Sequence, residues 1–475
     1  MAPSDARKKS SRSSKDDSLS VASVIDALGS IRMPDDEVQR LLESLSRPHH
    51  SVLRFRREVD PGQFALKTEP VDWYSLARRT VFADARPSRQ LSYFAGDYYL
   101  QDAGSLLALA ASGADTTLGP DDSDSLADDG DGPLVCDLCA APGGKATALL
   151  EAFASPGPLQ QGFLLANEPI RSRIAPLSYN LARCGSDRYA ISSLDPDELA
   201  DRLGGVFDLV VVDAPCSGQA LLSKGKQSTS ALSSRQIEHS AARQSRILDA
   251  ATRLLREGGR LIYSTCTFAE AENESQMIRL VDRHDYKPVP VSHLNAYASD
   301  VFSGCYRLWP HRHACAGSFA ASFRATRGGD VPRRWKGRKP SRPPVDLQPW
   351  FQFADDSPRF FSLGSVFLQW PHDAPDWVED VTAGGPELSH RTGQTWKPAH
   401  GAALRRGDTS IARQRIDVDA ETAVAYLQGN PIPCPASGWT VVCYAGRPLG
   451  WVKSSSGVGK NQLFPAARVS GAVAR

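Results

Sequence analysis

The sequence has no long apolar run. None of its apolar stretches approaches the roughly 18–20 consecutive residues that a membrane-spanning helix requires. The opening residues, MAPSDARKKSSRSSKDDS, also lack the apolar segment of a secretory signal. We therefore expect a cytoplasmic protein without a membrane partner.

Net charge of either sign is almost absent. The 55 lysines and arginines are balanced by 54 aspartates and glutamates, which leaves a formal net charge of +1. Such a chain has no overall field that attracts nucleic acid or a membrane surface. Any site for a polyanion must therefore be local.

Cysteine is too sparse for a disulfide framework. The chain has 9 cysteines in 475 residues, an odd number spread widely along it. Small secreted domains that depend on disulfides have a much denser and usually even set. We expect most of these thiols to be reduced.

The length fits about three domains at roughly 150 residues each. Residues 1–20 have almost no apolar side chains and are predicted to form a disordered tail. Residues 21–100 combine a helical apolar pattern with the strand-like SVLRFRREV, which predicts a small α+β domain. Residues 116–133 gather aspartates without the spacing of a calcium loop and are interpreted as a solvated insertion.

From residue 134 strand-like and helix-like segments alternate. LVCDL, GFLLANE, FDLVVVDAP and RLIYSTC read as strands, and amphipathic segments lie between them. The alternation predicts an α/β fold with a mostly parallel, doubly wound sheet, whose ligands bind at the carboxyl ends of the strands. The long helix SSRQIEHSAARQSRILDAATRLLREGG is predicted to end at Gly258 and Gly259 as its C-cap.

The chain changes character after the core. Residues 326–404 are interpreted as a basic linker followed by an extension, because RATRGGDVPRRWKGRKPSRPP is rich in Arg, Lys, Pro and Gly. Residues 405–475 are β-rich, and GWTVVCYAGRPLGWVK reads as two strands joined by a tight turn. A small C-terminal β-barrel is predicted there.

The motif DLCAAPGGK, residues 137–145, has the form of a cofactor loop. A strand that ends in Asp137 is followed by small residues and then a helix, which lets backbone N–H groups approach a cofactor closely. The motif does not fit G-x-G-x-x-G, which disfavours a dinucleotide. Cys136 and Cys139 spell C-x-x-C, but no second pair follows, so we expect no metal.

Acidic residues follow two of the other strands. Glu168 ends LLANE, where it could accept hydrogen bonds from ribose hydroxyls or serve as a carboxylate at a helix N-terminus. Asp213 and Cys216 in DAPCSG follow the most apolar strand, at the edge where substrates bind. The alternative there is a capping aspartate beside a packed cysteine.

Cys266 in STCTF closes the next strand. A lone cysteine is more often a small buried apolar residue than a nucleophile. Cys216 and Cys266 nevertheless end strands that a parallel sheet would set close together. Two thiols are therefore predicted to face one pocket, and the residues alone do not say which thiol reacts first.

The motifs DLCAAPGGK, DAPCSG and STCTFAEAENE, in this order, closely resemble the Sun-type (NOL/NOP/Sun) RNA cytosine-5 methyltransferases. YFAGDYYLQDAGSLLAL and SYNLARCG are similar to other parts of that family, and the C-terminal hairpin is similar to the appended PUA-like domain of the bacterial 16S rRNA branch. The resemblance implies a Rossmann-like class I S-adenosylmethionine-dependent methyltransferase core at 101–325. It also implies RNA-binding roles for the N-terminal domain at 21–100 and for a PUA-like domain at 405–475.

The resemblance implies a role for four reactive residues. Cys266 matches the nucleophile that adds to carbon-6 of the cytosine, and Cys216 matches the thiol that assists release of the product. Asp213 matches the residue that holds the base edge beside the cofactor methionine. Lys145 is expected close enough to a thiol to help lower its pKa.

S-adenosyl-L-methionine is the cofactor that the resemblance implies. The matching cofactor loop consists of Cys139, Ala140, Ala141, Pro142, Gly143, Gly144 and Lys145. Glu168 matches the acid at the ribose, and Asp213 also belongs to this set. Asp195 matches an acid near adenine, although an N-cap for the helix PDELADRL is an equal alternative.

The implied reaction is methyl transfer to carbon-5 of a cytidine in RNA, with 16S rRNA as the first candidate substrate and tRNA as the alternative. A catalytically silent RNA-binding assembly factor is disfavoured because both cysteines and their acid are present. A DNA or small-molecule methyltransferase is disfavoured by Cys266 of the STCTF motif and by the β-rich C-terminal module. We expect a monomer.

A basic strip with Trp335 is a candidate RNA contact, since single-stranded RNA is held by cations and stacking surfaces. A solvated linker is the equal alternative. The strip consists of Arg324, Arg327, Arg333, Arg334, Lys336, Arg338, Lys339 and Arg342.

Overall fold

The computed structural model describes residues 20–64, 66–82, 84–116, 132–331, 335, 341, 347, 349–353, 358–406 and 410–474. Residues 1–19 of the predicted tail, nearly all of the acidic insertion and most of the basic strip lie outside these residues. Within the described part of the chain, no helix combines the length and the apolar character needed to cross a membrane.

Two helices open the described chain, α1 (Val21–Leu28) and α2 (Asp35–Ser44). Their apolar faces are buried in one cluster with Phe268 and Trp309 of the central domain. The two helices therefore pack over the segment that follows the STCTF motif.

A small antiparallel sheet comes next, in the order β2-β3-β1-β4. Its elements are β1 (Val52–Phe55), β2 (Thr68–Pro70), β3 (Ala77–Thr80), α3 (Leu91–Phe94) and β4 (Tyr98–Gln101). The helix α4 (Leu107–Ser112), buried at every position, then packs on the central sheet.

The central domain is an eight-stranded mixed sheet with helices on both faces. Its elements are β5 (Leu134–Asp137), α5 (Gly144–Ala152), β6 (Phe163–Asn167), α6 (Ile174–Arg183), β7 (Tyr189–Ser192), α7 (Pro196–Leu203), β8 (Phe207–Asp213), α8 (Ser234–Leu254), β9 (Leu255–Thr265), α9 (Glu274–His284), β10 (Tyr286–Pro288), β11 (Cys305–Leu308), α10 (Pro310–His313) and β12 (Ser318–Ala325). The strand order is β10-β12-β9-β8-β5-β6-β7, and β11 also pairs with β12.

The predicted doubly wound sheet is confirmed. Strands β7, β6, β5, β8 and β9 are parallel, and β12 joins β9 antiparallel. One hydrophobic cluster packs α4, α5 and α6 on one face, and a second packs α7, α8 and α9 on the other. Strand β8 is buried at six of its seven positions, as a strand covered on both faces should be.

The prediction that Gly258 and Gly259 cap α8 was wrong. The helix ends at Leu254, and both glycines lie inside β9. Phe207 pairs with Leu255, so the sheet begins before the glycines, and the register then shifts. The positive φ of Gly258, 76°, serves this bulge rather than a helix end.

The segment interpreted as a linker and extension contains regular structure. Its elements are β13 (Phe351–Phe353), β14 (Arg359–Leu363), β15 (Val366–Trp370), α11 (Val378–Val381), β16 (Glu387–Thr392), β17 (Thr395–Pro398) and α12 (His400–Ala403), and β18 (Ser410–Ala412) follows just beyond it. Strands β14 to β17 form an antiparallel sheet in chain order, and β13 pairs with β18.

The extension covers one edge of the central sheet. Trp370 Nε1 donates to the carbonyl oxygen of Tyr189 at 2.8 Å. The backbone N–H of Ala383 donates to the carbonyl oxygen of Ile191 at 2.7 Å. Strand β7, the last strand of the sheet, therefore finds hydrogen-bond partners in the extension.

The C-terminal domain is a five-stranded sheet with one helix. Its elements are β19 (Arg415–Val418), α13 (Ala420–Leu427), β20 (Ile432–Pro433), β21 (Gly438–Tyr444), β22 (Arg447–Ser455) and β23 (Val458–Asn461), and its strand order is β19-β21-β22-β23-β20. The predicted hairpin is confirmed as β21 and β22. Ala445 and Gly446 turn the chain with φ of 47° and 74°, as a tight two-residue turn requires.

Candidate active site

The two predicted thiols lie together. Strands β8 and β9 are parallel neighbours, with Asp213 opposite Ser264, so their carboxyl ends deliver Cys216 and Cys266 to the same place. The two Sγ atoms are 3.3 Å apart. The hydrogen bond to Cys266, together with burial, raises the pKa of Cys216 well above its usual value. Cys216 is therefore held as a protonated thiol.

The thiols open into a cavity of 340 Å³ at the carboxyl ends of the strands. The predicted site residues in its wall are Cys139, Ala141, Glu168, Asp195, Asp213, Cys216 and Cys266. The prediction of one shared pocket is confirmed. Its wall also contains Arg173, Arg243 and Arg246, which the sequence analysis did not identify.

The cofactor-type loop turns sharply into α5. Ala140 donates its N–H to the carbonyl oxygen of Asn167, and Pro142 accepts a bond from Asn180 at 2.7 Å. Gly143 has a φ of 111°, and a Cβ on it would lie 3.3 Å from side-chain atoms of Leu177 and Asn180. A glycine is therefore required at this position, and Gly144 then begins the helix.

Lys145 forms an ion pair with Asp213. Its Nζ lies 2.7 Å from Oδ2 of Asp213, and the Ser264 hydroxyl donates to Oδ1 of the same carboxylate at 2.8 Å. The charge that the resemblance places near a cysteine is thus directed to Asp213. The ion pair fixes the Asp213 side chain at the cavity wall.

Glu168 follows β6 and is almost fully buried, with 1% of its surface exposed. It accepts the N–H of Ile170 at 2.9 Å, and its Oε2 lies 3.2 Å from the Arg173 guanidinium. Arg173 also donates to the carbonyl oxygen of Ala141 in the cofactor-type loop. One arginine therefore ties the acid to the loop.

Asp195 has the N-cap role, and it also lies in the wall of the cavity. It is the N-cap of α7 and accepts the N–H of Asp197 at 3.1 Å. It also lies in the cavity wall, where Arg246 binds both of its oxygens at 2.9 and 3.0 Å. These hydrogen bonds to Arg246 lower the pKa of Asp195.

Asp137 is an acid that the sequence analysis used only as the end of a strand. It is fully buried, and neither carboxyl oxygen makes a well-formed hydrogen bond within the described residues. Burial and the nearby Asp213 raise its pKa to about 7, against the opposing effect of Lys145. A buried carboxyl with a raised pKa beside a cofactor-type loop is typical of a site that binds a ligand.

The residues of the cavity wall fit S-adenosyl-L-methionine. The cofactor carries ribose hydroxyls, an amino group and a sulfonium, which need hydrogen-bond acceptors and negative charge. Glu168, Asp195 and Asp213 supply these in the cavity wall. The expected cofactor therefore agrees with the residues present.

Comparison with known proteins gives the same picture. Residues 126–324 match the family described as 16S rRNA methyltransferase RsmB/F, and residues 413–469 match the methyltransferase RsmF PUA domain. The chain is 28% identical over 464 residues to the ribosomal RNA small subunit methyltransferase F of Erwinia tasmaniensis, covering 89% of this chain and 91% of that one. It is 27% identical to the protein of the same name from Shewanella sp. strain ANA-3, with 86% and 87% covered.

A solved structure supports the fold. The structure described as NSun6 from Pyrococcus horikoshii with SFG superposes with a TM-score of 0.52 at 17% identity, covering 62% of this chain and 95% of that one. The expected Sun-type core and PUA-like domain are confirmed. The chain therefore contains an S-adenosyl-L-methionine-dependent RNA methyltransferase domain that matches the RsmB/F family, followed by a PUA domain of the RsmF type.

Proposed function

We propose that this protein methylates carbon-5 of a cytidine in small-subunit ribosomal RNA through a covalent adduct between the enzyme and the base. The observation that carries the proposal is the pair of thiols, 3.3 Å apart, in the same cavity as Asp213. The relatives' names, ribosomal RNA small subunit methyltransferase F, favour 16S rRNA over tRNA.

Cys266 is the nucleophile in this mechanism. Carbon-5 of cytosine is too weak a nucleophile to accept a methyl group unaided, and a thiolate that adds to carbon-6 makes carbon-5 enamine-like. The resemblance to the Sun-type family assigns the attack to Cys266, and the raised pKa of Cys216 agrees with a thiol that stays protonated. S-adenosyl-L-methionine supplies an electrophilic methyl group.

Asp213 and Cys216 act on either side of that step. Asp213, fixed by Lys145 and Ser264, holds the base edge. After methylation a water molecule takes the proton from carbon-5, the double bond between carbon-5 and carbon-6 forms again, and the bond between carbon-6 and sulfur breaks, which leaves Cys266 as a thiolate. The Cys216 thiol lies beside the departing sulfur and stabilises it by an S–H hydrogen bond.

The remaining site residues hold the cofactor. We assign the loop from Cys139 to Lys145 to the methionine part, Glu168 to the ribose and Asp195 to the adenine end. Their support is that Cys139, Glu168 and Asp195 share one cavity wall.

RNA binding is assigned to the flanking parts of the chain. We infer that the regions 21–100 and 405–475 contact RNA, the second because it contains the PUA domain match. The basic strip around Trp335 is a further candidate, although most of it lies outside the described residues. We infer a monomer that works in the cytoplasm, where its ribosomal RNA substrate is made.

The test is covalent trapping. The protein and S-adenosyl-L-methionine are incubated with small-subunit rRNA that contains 5-fluorocytidine, whose fluorine blocks elimination, and the adduct is mapped by mass spectrometry. We expect an adduct on Cys266, none in Cys266→Ala, and an unchanged yield in Cys443→Ala, a buried cysteine of the C-terminal domain. An adduct on Cys216 alone would reverse the two roles, and a higher yield with tRNA would change the substrate.

A further inference from the structure

Three consecutive polar residues after Cys266 are fully buried. Glu272, Asn273 and Glu274 have no exposed surface, although two of them carry carboxyl groups. Burying such groups is costly unless every one is bound. Their hydrogen bonds therefore show which segments of the site these residues hold in place.

Glu272 joins the two segments that carry the thiols. Its Oε2 accepts the backbone N–H of Ser217, next to Cys216, at 2.9 Å. Its Oε1 accepts the hydroxyl of Thr267, next to Cys266, at 3.3 Å. One carboxyl group thus binds the immediate neighbour of each thiol.

Further hydrogen bonds close the same bridge. The Ser217 and Thr267 hydroxyls lie 2.8 Å apart and bond to each other directly. Gln244 of α8 donates to Oε2 of Glu272 at 2.8 Å and to the carbonyl oxygen of Pro215 at 3.2 Å. The segment 215–217 is therefore held through Glu272 from two sides.

Asn273 acts on the Cys266 segment alone. Its Oδ1 accepts the hydroxyl of Thr265 at 2.6 Å, and its Nδ2 donates to the carbonyl oxygen of Thr267 at 3.0 Å. The side chain thus spans Cys266 from one neighbour to the other. Glu274 instead pairs with the buried Arg307.

We propose that Glu272 and Asn273 are positioning residues, in which Glu272 sets the place of Cys216 relative to Cys266 and Asn273 fixes the Cys266 segment. The inference rests on the proposed covalent mechanism. Both side chains bind the Cys266 segment, but of the two only Glu272 also binds the Cys216 segment, through Ser217, so the proposal separates the two chemical steps. Loss of Glu272 should impair release of the product, and loss of Asn273 should impair formation of the adduct.

The hydrogen-bond partners of Glu272 are uncharged, which predicts which substitution of Glu272 retains function. Its described partners, Ser217, Thr267 and Gln244, carry no charge. A glutamine can accept from Ser217 and Gln244 through its oxygen and donate to Thr267 through its amide nitrogen. Glu272→Gln should therefore keep the geometry, whereas Glu272→Ala should lose it.

The experiment measures release of ordinary, unfluorinated rRNA. With S-adenosyl-L-methionine present, Glu272→Ala should accumulate an adduct that survives denaturing gels and turn over about tenfold or more slowly, since small displacements of reacting groups have effects of this size. KM for RNA should not change. Glu272→Gln should release at the wild-type rate, and Asn273→Ala should form adduct with 5-fluorocytidine RNA about tenfold more slowly.

Two further variants separate positioning from stability. Glu379→Ala removes an equally buried glutamate that pairs with Arg359 in the extension at 2.7 Å, far along the chain from either thiol, and should accumulate no adduct. Thr267→Val removes one arm of the bridge with little change of shape and should accumulate adduct even if Glu272→Ala does not fold.

The outcomes are distinguishable. Wild-type release in both Glu272→Ala and Thr267→Val, or release as slow in Glu272→Gln as in Glu272→Ala, would overturn the positioning role. Adduct in Glu379→Ala equal to that in Glu272→Ala would assign the effect to stability and overturn it as well. No adduct in the wild-type protein with 5-fluorocytidine RNA would instead refute the proposed function.

Discussion

Lys145 and Asp213 form an ion pair of 2.7 Å that joins the start of α5 to the end of β8. The pair connects the cofactor-type loop with the strand that leads to Cys216. Any movement of the loop is therefore transmitted to the acid assigned to the base edge. Loss of the Lys145 charge should therefore change how Asp213 holds the reacting base.

Lys145→Met should lower kcat about 100-fold, because the charge that holds Asp213 at the reacting base is lost. The free energy of unfolding should change by only about 1 kcal/mol or less, since the Asp213 side chain is 43% exposed. Steady-state methylation and denaturant unfolding would measure the two effects. Arg40→Ala, which breaks an exposed helical ion pair with Asp36, is the control and should leave both unchanged.

Gly143→Ala should destabilise the protein by about 3 kcal/mol and weaken cofactor binding, because its φ of 111° strains a residue with a side chain and a Cβ there would crowd Leu177 and Asn180 at 3.3 Å. Gly393→Ala is the matched control. Gly393 also has a positive φ, 61°, but a Cβ there would meet open space, so a loss of about 1 kcal/mol is expected. Denaturant unfolding would measure both variants. An equal loss of free energy of unfolding in the two would contradict the prediction that crowding at Gly143 adds to the destabilisation.

Arg173→Ala should raise the dissociation constant for S-adenosyl-L-methionine about tenfold or more. The substitution leaves the buried Glu168 without its cation and frees the Ala141 carbonyl. Arg171→Ala, an exposed arginine two residues earlier, should bind the cofactor as the wild type does. Isothermal titration calorimetry would decide, and equal affinities in the two variants would exclude the role of Arg173.

Asp137 should make stability fall as pH rises. Its pKa is about 7 in the folded chain and about 4 in the unfolded chain, so between these values the folded state binds more protons. The free energy of unfolding should therefore decrease from about pH 4 to pH 7 and change no further above it through this group. Asp137→Asn removes the titration and should be more stable than the wild type at pH 8, by up to about 4 kcal/mol, and equal to it at pH 4.

Unfolding of both proteins without cofactor at a series of pH values would test this. A stability difference between wild type and Asp137→Asn that does not depend on pH would show that the carboxyl does not titrate in this window.

Local sequence patterns predicted the parts of the site that lie at strand ends. Cys216, Cys266 and Glu168 each follow a strongly apolar run, and parallel strands bring such positions to one edge. The end of α8 was mispredicted because pairing of β9 with β8, which is far away in sequence, begins at Leu255. Tertiary pairing overrode the local signal of Gly258.

The side-chain partners of the site residues could not be predicted from the sequence either, because they too depend on tertiary structure. Arg173 is five residues after Glu168, a spacing that indicates nothing until α6 folds back over the loop. Glu272 stands in a short run of acidic residues whose sequence indicates no partner, and only its burial between two strand ends shows which groups it binds. Charged residues are exposed in most proteins, so a sequence pattern predicts exposure for them. Glu168 and Glu272 are exceptions, because tertiary contacts bury them.

The extension that pairs with β7 makes the methyltransferase core dependent on residues beyond its own last strand. A protein cut after β12 would leave the backbone of Tyr189–Ser192 open to another copy, and it would expose the apolar surface now covered by Trp370. Such a fragment should self-associate in solution. We therefore expect that expression of a stable enzyme requires the extension as well as the catalytic core.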